Sequence, residues 1–213
     1  MTRLLFIRHG ESMANGKGFF AGQLDIELSK KGMAQAELLA EWICKNYSVD
    51  KIYASDLSRA YNTAVPLAKR LNLEINASKQ FREINSGDWQ GKTFDQLEVE
   101  FSDSYGVWLK DIGKAQSPNG ESVKDLYERV WKEIEKIVCD NGGKTIAIAT
   151  HATPIRAVCC RLKGYNYQDM KKVKWVSNAS VSEVVIKDGE WALVKESIDE
   201  YLNEMKTSFP ANV

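Results

Sequence analysis

The chain has 213 residues, 44% hydrophobic and 27% charged, the proportions of a globular protein long enough to bury its own core. Twenty-nine basic side chains cancel twenty-nine acidic ones, so no global field gathers nucleic acid or an anionic membrane, and any affinity for an anion must come from a local cluster. Its apolar runs fall far short of the ~20 residues of a membrane span, and no signal peptide opens the chain, so the expected setting is cytoplasmic.

In chain order, Leu4 to Ile7 reads as a short buried strand that stops at Arg8-His9-Gly10. Ser29 is placed to cap a helix from Lys30 to about Lys45, with Met33, Ala36, Leu39, Ala40 and Ile43 on one face. Lys51 to Ala54 reads as a second strand, followed by Ser55-Asp56, good cap residues, and a helix from Leu57 to Leu71 in which Pro66 predicts a kink or an early end. Residues 86 to 120 mix Trp89, Phe94, Phe101, Tyr105 and Trp108 with glycines and acids without a clean period, and read as an excursion over one edge of the sheet. Ser122 to Asp140 is the clearest helix, Lys144 to Thr150 a third strand, and Thr153 to Leu162 the helix after it. Val181 to Ile186 and Trp191 to Val194 flank Asp188-Gly189, a strong hairpin signal. The alternation favours an α/β fold, a three-layer sandwich with a largely parallel sheet flanked by helices, and one domain over residues 1–213.

Only two histidines occur, and they stand directly after the first and third of these strands, in Arg8-His9-Gly10-Glu11-Ser12 and Thr150-His151. In open α/β sheets, ligands bind outside the carboxyl ends of strands. Arg59, in the first turn of a helix that also follows a strand, belongs to the same rim. Arg8, His9, Arg59 and His151 then converge, and two guanidinium forks suit phosphate oxygens because each can bind two at once. Two histidines and no acidic loop of calcium spacing leave no metal site in the pattern, and four cysteines without a Cys-x-x-Cys pair read as reduced thiols. Asn141-Gly142-Gly143-Lys144-Thr145 lacks the leading glycine of a phosphate-binding P-loop and precedes a strand instead of following one.

These blocks resemble, in order, those of the histidine phosphatase superfamily, in the branch of cofactor-dependent phosphoglycerate mutases and their phosphatase relatives. Arg8-His9-Gly10-Glu11-Ser12 with Asn15 is similar to the opening signature, and Gly22-Gln23-Leu24-Asp25 to the next block. Ile52 to Ala60 with Thr63-Ala64 resembles the arginine block. Phe81-Arg82-Glu83-Ile84 with Gly87-Asp88-Trp89-Gln90-Gly91 resembles the acid/base block of phosphatase members. Gly120-Glu121-Ser122 and Thr150-His151 with Ile155-Arg156 complete the match, from residue 4 to about 157.

The resemblance implies a phosphoglycerate mutase-like fold with a small excursion over the carboxyl edge of the sheet. It implies His9 as nucleophile, with a backbone carbonyl fixing its tautomer. Arg8, Arg59 and His151 would hold the phosphoryl oxygens, Asn15 would add a neutral donor, and Gln23 would contact phosphate or substrate. Glu83 would act as acid and then base, and Glu11 would orient an arginine. No cofactor and no metal enter this scheme, because arginines and His151 take the cation's place. Many members have Gly-Gly after the second histidine; here Ala152-Thr153 brings a methyl and a hydroxyl near the phosphate, where Thr153 would donate a hydrogen bond or narrow the substrate range.

Family mutases carry a longer insertion and an Arg-His-Tyr-Gly pattern at the acid/base glutamate. Arg82-Glu83-Ile84-Asn85-Ser86-Gly87 has neither the histidine nor the tyrosine, which favours a phosphatase over the mutase alternative. A scaffold that kept the fold and lost the chemistry is a further alternative, weakened because all five polar residues are present. The expected partner is a small phosphomonoester, with no nucleic acid and no membrane, acting on a monomer or on a homodimer paired along the hairpin edge. Trp89 to Trp108 are expected either to wall the pocket or to pack the excursion's own small core.

Overall fold

Leu4, Leu5, Phe6 and Ile7 are all fully buried, as consecutive residues must be in a strand covered on both faces. The computed structural model describes residues 1–207. Its strands are β1 (Thr2–Arg8), β2 (Lys51–Ala54), β3 (Ile75–Ala77), β4 (Thr145–Thr150), β5 (Val181–Lys187) and β6 (Glu190–Ile198). They form one sheet in the order β3-β2-β4-β1-β5-β6, parallel from β3 to β1, with β5 and β6 antiparallel at the far side. Asp188 and Gly189, both at positive φ (53° and 86°), make the two-residue turn between β5 and β6.

The helices are α1 (Met13–Lys17), α2 (Lys30–Asn46), α3 (Ser58–Leu71), α4 (Phe94–Glu100), α5 (Ser102–Asp111), α6 (Val123–Asp140) and α7 (Ala152–Leu162). One sheet face packs Leu5, Ile7 and Ala147 against Leu39 and Ile43 of α2 and Leu67 of α3. The other packs Leu4, Phe6 and Ile148 against Ile134 of α6 and Val158 of α7. These are the three expected layers. The excursion holds α4 and α5, whose periods are too short to read from sequence; Trp89, Leu97 and Tyr105 form a separate core with Phe20, Phe94, Phe101 and Trp108 against it.

Four local expectations are corrected. Met33 is 53% exposed, and the buried face of α2 starts instead at Gly32 and Gln35. That exchange has a cause at the site: a Cβ on Gly32 would lie 2.0 Å from the Glu11 carbonyl oxygen, so the first turn of α2 rests backbone to backbone on the loop after His9. Neither Ser55 nor Asp56 caps α3, whose boundary residue Leu57 has no capping side chain. Asp25 Oδ1 accepts the Ser58 N–H at 2.7 Å, while Asp56 holds Arg82 bidentately at 2.7 and 2.6 Å. Pro66 neither ends nor shortens α3, which runs on to Leu71; the carbonyl that its missing N–H leaves over belongs to exposed Asn62, where water can satisfy it. Finally β3 and α1, three and five residues long, were not foreseen.

Candidate active site

Arg8 of β1 lies in register with Thr150 of β4, so the two strands end side by side and His9 and His151 leave the sheet together. Their rings are 5.1 Å apart between centroids, at 62°. The His9 N–H donates to the Thr150 carbonyl, and Asn178 Nδ2 donates to the His9 and Gly10 carbonyls at 2.9 and 3.3 Å. The Gly10 N–H donates to Thr63 Oγ1 at 3.0 Å. The loop carrying His9 is thus fixed from the sheet, from α3 and from the segment before β5.

His9 Nδ1 lies 2.7 Å from the Gly10 carbonyl oxygen, an acceptor only, so Nδ1 carries the proton and Nε2 keeps its lone pair. Burial, followed by the charges of Arg59 and Arg8, holds the His9 pKa well below its ordinary value. His151 is depressed in the same direction by burial, then by Arg59 and His9. Its Nε2 meets Ser55 Oγ at 2.9 Å, while its Nδ1 is buried with no hydrogen-bond partner.

A cavity of about 720 Å³ opens over His9, walled by Arg8, Asn15, Arg59, Glu83 and Thr153 together with Phe94, Tyr105 and Trp108. Arg59 is 1% exposed and spends Nη1 and Nη2 on the Leu24 and Gly22 carbonyls at 2.8 and 2.7 Å. Arg8 donates through Nη1 to the Val176 carbonyl. Burial lowers both guanidinium pKa values to about 10, opposed by the Glu83 charge, so both stay cationic at neutral pH. Glu83 accepts from the Ile84 N–H at 2.8 Å and, in a long contact of 3.4 Å, from the Thr153 N–H in the first turn of α7. Asn15 Oδ1 receives the Ser12 N–H and hydroxyl at 3.0 and 2.9 Å.

The placements differ in part from the sequence reading. Gln23 does not line the cavity; its side-chain amide donates to the Glu83 carbonyl at 3.0 Å. His151 is fully buried, with its ring against that of His9. Glu11 orients no arginine, and instead accepts from Ser29 Oγ at 2.8 Å and from Thr207 Oγ1 at 3.1 Å, steadying the start of α2. Trp89 is buried in the excursion's core, whereas Phe94, Tyr105 and Trp108 both pack there and face the cavity. Sequence reading missed Asn178, Ser55 and Arg129. Arg129 forks onto Glu121 and donates to the Arg82 and Glu83 carbonyls at 2.9 and 3.1 Å, holding the loop that presents Glu83. Little that is local marks these three: Ser55 and Asn178 meet partners 96 and 169 residues away, and Arg129, besides Glu121 eight residues before it, meets carbonyls 46 and 47 residues away. Among the described residues no group of three or more His, Cys, Asp or Glu side chains is placed to hold a metal ion, and no helix is long and apolar enough to cross a membrane.

Two histidines buried in neutral form make stability depend on pH. The unfolded chain takes up protons below about pH 6.5 while the native state does not, so stability falls as pH drops, by up to about 1.4 kcal/mol per pH unit for each histidine. Urea unfolding between pH 7 and 5.5 is expected to show this slope, and a His9→Asn/His151→Asn double variant to lose most of it. A flat profile in the wild type would show that the two rings are not held neutral.

Known proteins resemble the chain in sequence and in fold. The family model for the histidine phosphatase superfamily (branch 1) matches residues 4–199. Phosphoserine phosphatase 1 of Hydrogenobacter thermophilus is 31% identical over 207 residues, covering 96% of each chain. Glucosyl-3-phosphoglycerate phosphatase of Mycobacterium tuberculosis is 31% identical over 198 residues, covering 89% of this chain and 86% of its own. Among solved structures, the α-ribazole phosphatase of Shigella flexneri superposes with a TM-score of 0.82 at 27% identity, over 92% of this chain and 96% of its own. The chain belongs to the histidine phosphatase superfamily. Its relatives bear out the expectation of a phosphomonoester hydrolase, and of the phosphatase ahead of the mutase.

Proposed function

We propose that the chain hydrolyses a small phosphorylated metabolite through a phosphohistidine on His9 Nε2, without a metal ion, as one domain whose excursion walls the pocket. The observation that carries this reading is the Nδ1 contact to the Gly10 carbonyl, which leaves Nε2 unprotonated beside two buried guanidinium groups. The Nε2 lone pair attacks phosphorus as the ester P–O bond breaks, and the departing alkoxide takes a proton from Glu83. Water then attacks phosphorus and gives a proton to Glu83 as the P–N bond breaks and its electron pair returns to Nε2, so inorganic phosphate leaves and both side chains return to their starting states.

Arg8 and Arg59 stabilise the charge on the equatorial oxygens during both transfers. The buried, unpartnered Nδ1 of His151 supports a role as a further contact for a phosphoryl oxygen, because such an atom is costly to leave unpaired. Asn15 and Thr153 border the same space, and Gln23 acts on it through the Glu83 backbone. Free thiols at Cys44, Cys139, Cys159 and Cys160 support a reducing, cytoplasmic setting.

Phosphate release from a panel of phosphomonoesters in the presence of a strong chelator tests the reading. Release from some members is expected, unaffected by the chelator. Loss of activity in chelator would contradict the metal-free scheme. No release, with 3-phosphoglycerate isomerised once bisphosphoglycerate is added, would make the chain a mutase.

A further inference from the structure

The cavity wall is far more basic than one phosphate requires. Arg8, Arg59, Lys110, Arg156, Lys171 and Lys174 all line it, and among the described residues Glu83 is the only acidic side chain that does, in a chain of zero formal net charge. Arg8 and Arg59 flank His9. Lys110, Arg156, Lys171 and Lys174 line the same cavity with Trp108 and Trp175. Lys171 is paired with Asp111 at 3.0 Å, whereas Lys110 and Lys174 have no ion-pair partner among the described residues.

Arg156 is the anchor of this cluster. It is 3% exposed, and Nε and Nη2 are spent on the Val173 and Met170 carbonyls at 2.8 to 3.1 Å. The Trp175 ring lies 3.9 Å from the guanidinium carbon, stacked on its face, which leaves the edge for polar contacts. Nη1, on that edge, is buried and has no partner. A structure that buries a cationic donor without an acceptor, beside two unpaired lysines on a cavity wall, is built for an anionic oxygen.

We propose that Arg156, Lys110 and Lys174 form a second anion site, which receives a carboxylate or second phosphate carried by the substrate. The proposal rests on the phosphatase reading and narrows it. The preferred substrates are phosphomonoesters with a second anionic group, joined to the first by a spacer that suits Tyr105 and Trp108. The phosphate to be cleaved lies at His9, and the second group is held by Arg156, Lys110 and Lys174 and is not transferred.

The test compares kcat/KM for three aryl phosphates that share one ring: 4-carboxyphenyl phosphate, its neutral counterpart 4-carbamoylphenyl phosphate, and benzene-1,4-diyl bisphosphate, with 4-nitrophenyl phosphate as reference. Wild type is expected to prefer an anionic tail over the carboxamide by about tenfold, less at high salt. Whether the carboxylate or the bisphosphate gains more assigns the anion. In a Lys110→Ala/Lys174→Ala variant, whose side chains are exposed and whose fold is not at risk, the anionic-to-neutral ratio should fall about fivefold, mainly through KM. Arg156→Lys, checked for its melting temperature, should lower the ratio further, since an ammonium cannot keep both the carbonyl contacts and the edge donor. Equal rates on all tails in wild type, or a ratio that the substitutions leave alone, would overturn the second site while 4-nitrophenyl phosphate hydrolysis continued. No hydrolysis of any ester would instead overturn the phosphatase reading.

Discussion

His9→Ala is expected to retain less than about a hundredth of wild-type turnover while remaining folded. The variant loses the atom that attacks phosphorus, and neither Arg8 nor Arg59 can replace a lone pair. The structural loss is small by comparison. It removes one hydrogen bond to the Gly10 carbonyl, worth about 1 kcal/mol net, while the loop keeps its ties to Thr150, Asn178 and Thr63. Stopped in acid-free conditions during turnover, wild type should carry a phosphoryl group that is labile to acid and stable to base, and the variant should carry none. A variant with activity above that level, or labelled as well as wild type, would remove His9 from the nucleophile's place and would favour a non-covalent route.

Glu83→Gln should separate good leaving groups from poor ones. With alkyl phosphates kcat/KM should fall by roughly 10²–10⁴-fold, because the departing alkoxide has lost its proton donor. With 4-nitrophenyl phosphate, whose leaving group needs little protonation, kcat/KM should hardly change. Hydrolysis of the phosphohistidine still needs a base, so that substrate should instead show a burst of nitrophenolate followed by slow release of phosphate. The amide preserves an acceptor for the Ile84 N–H, so the loop is expected to stay in place. An equal fall in kcat/KM on both substrates would mean that Glu83 positions the phosphate and transfers no proton.

Local chemistry made much of this fold legible. Ser29 accepts the N–H of Gly32 as the cap pattern predicts, and Asp188-Gly189 turns the hairpin because both residues adopt positive φ. The two histidines were legible as a pair because strand ends on one edge of a parallel sheet converge whatever the side chains between them. What escaped was set by contacts across long stretches of chain. Asp25 caps α3 from a loop 33 residues earlier, and Asn178 clamps the carbonyls of His9 and Gly10 from the far end of the molecule. Arg129 looks like any exposed helical arginine until α6 is packed and its fork meets Glu121. Gln23 stood in a motif beside the phosphate residues, yet it touches them only through the Glu83 backbone, because sequence order places a residue on a loop without fixing where its side chain turns.

The position of β1 bears on how the enzyme is made. Leu4 pairs with Ile146 on one side and with Val184 on the other, so β1 sits between two strands that are both synthesised long after it and can find neither until they emerge. Until then an apolar segment, Leu4 to Ile7, must wait with both edges open, the condition in which nascent chains recruit chaperones or aggregate. His9 directly follows that strand. His9 is therefore translated well before residues that pack around it, and a chain arrested before β4 carries this histidine without His151 and Asn178 beside it.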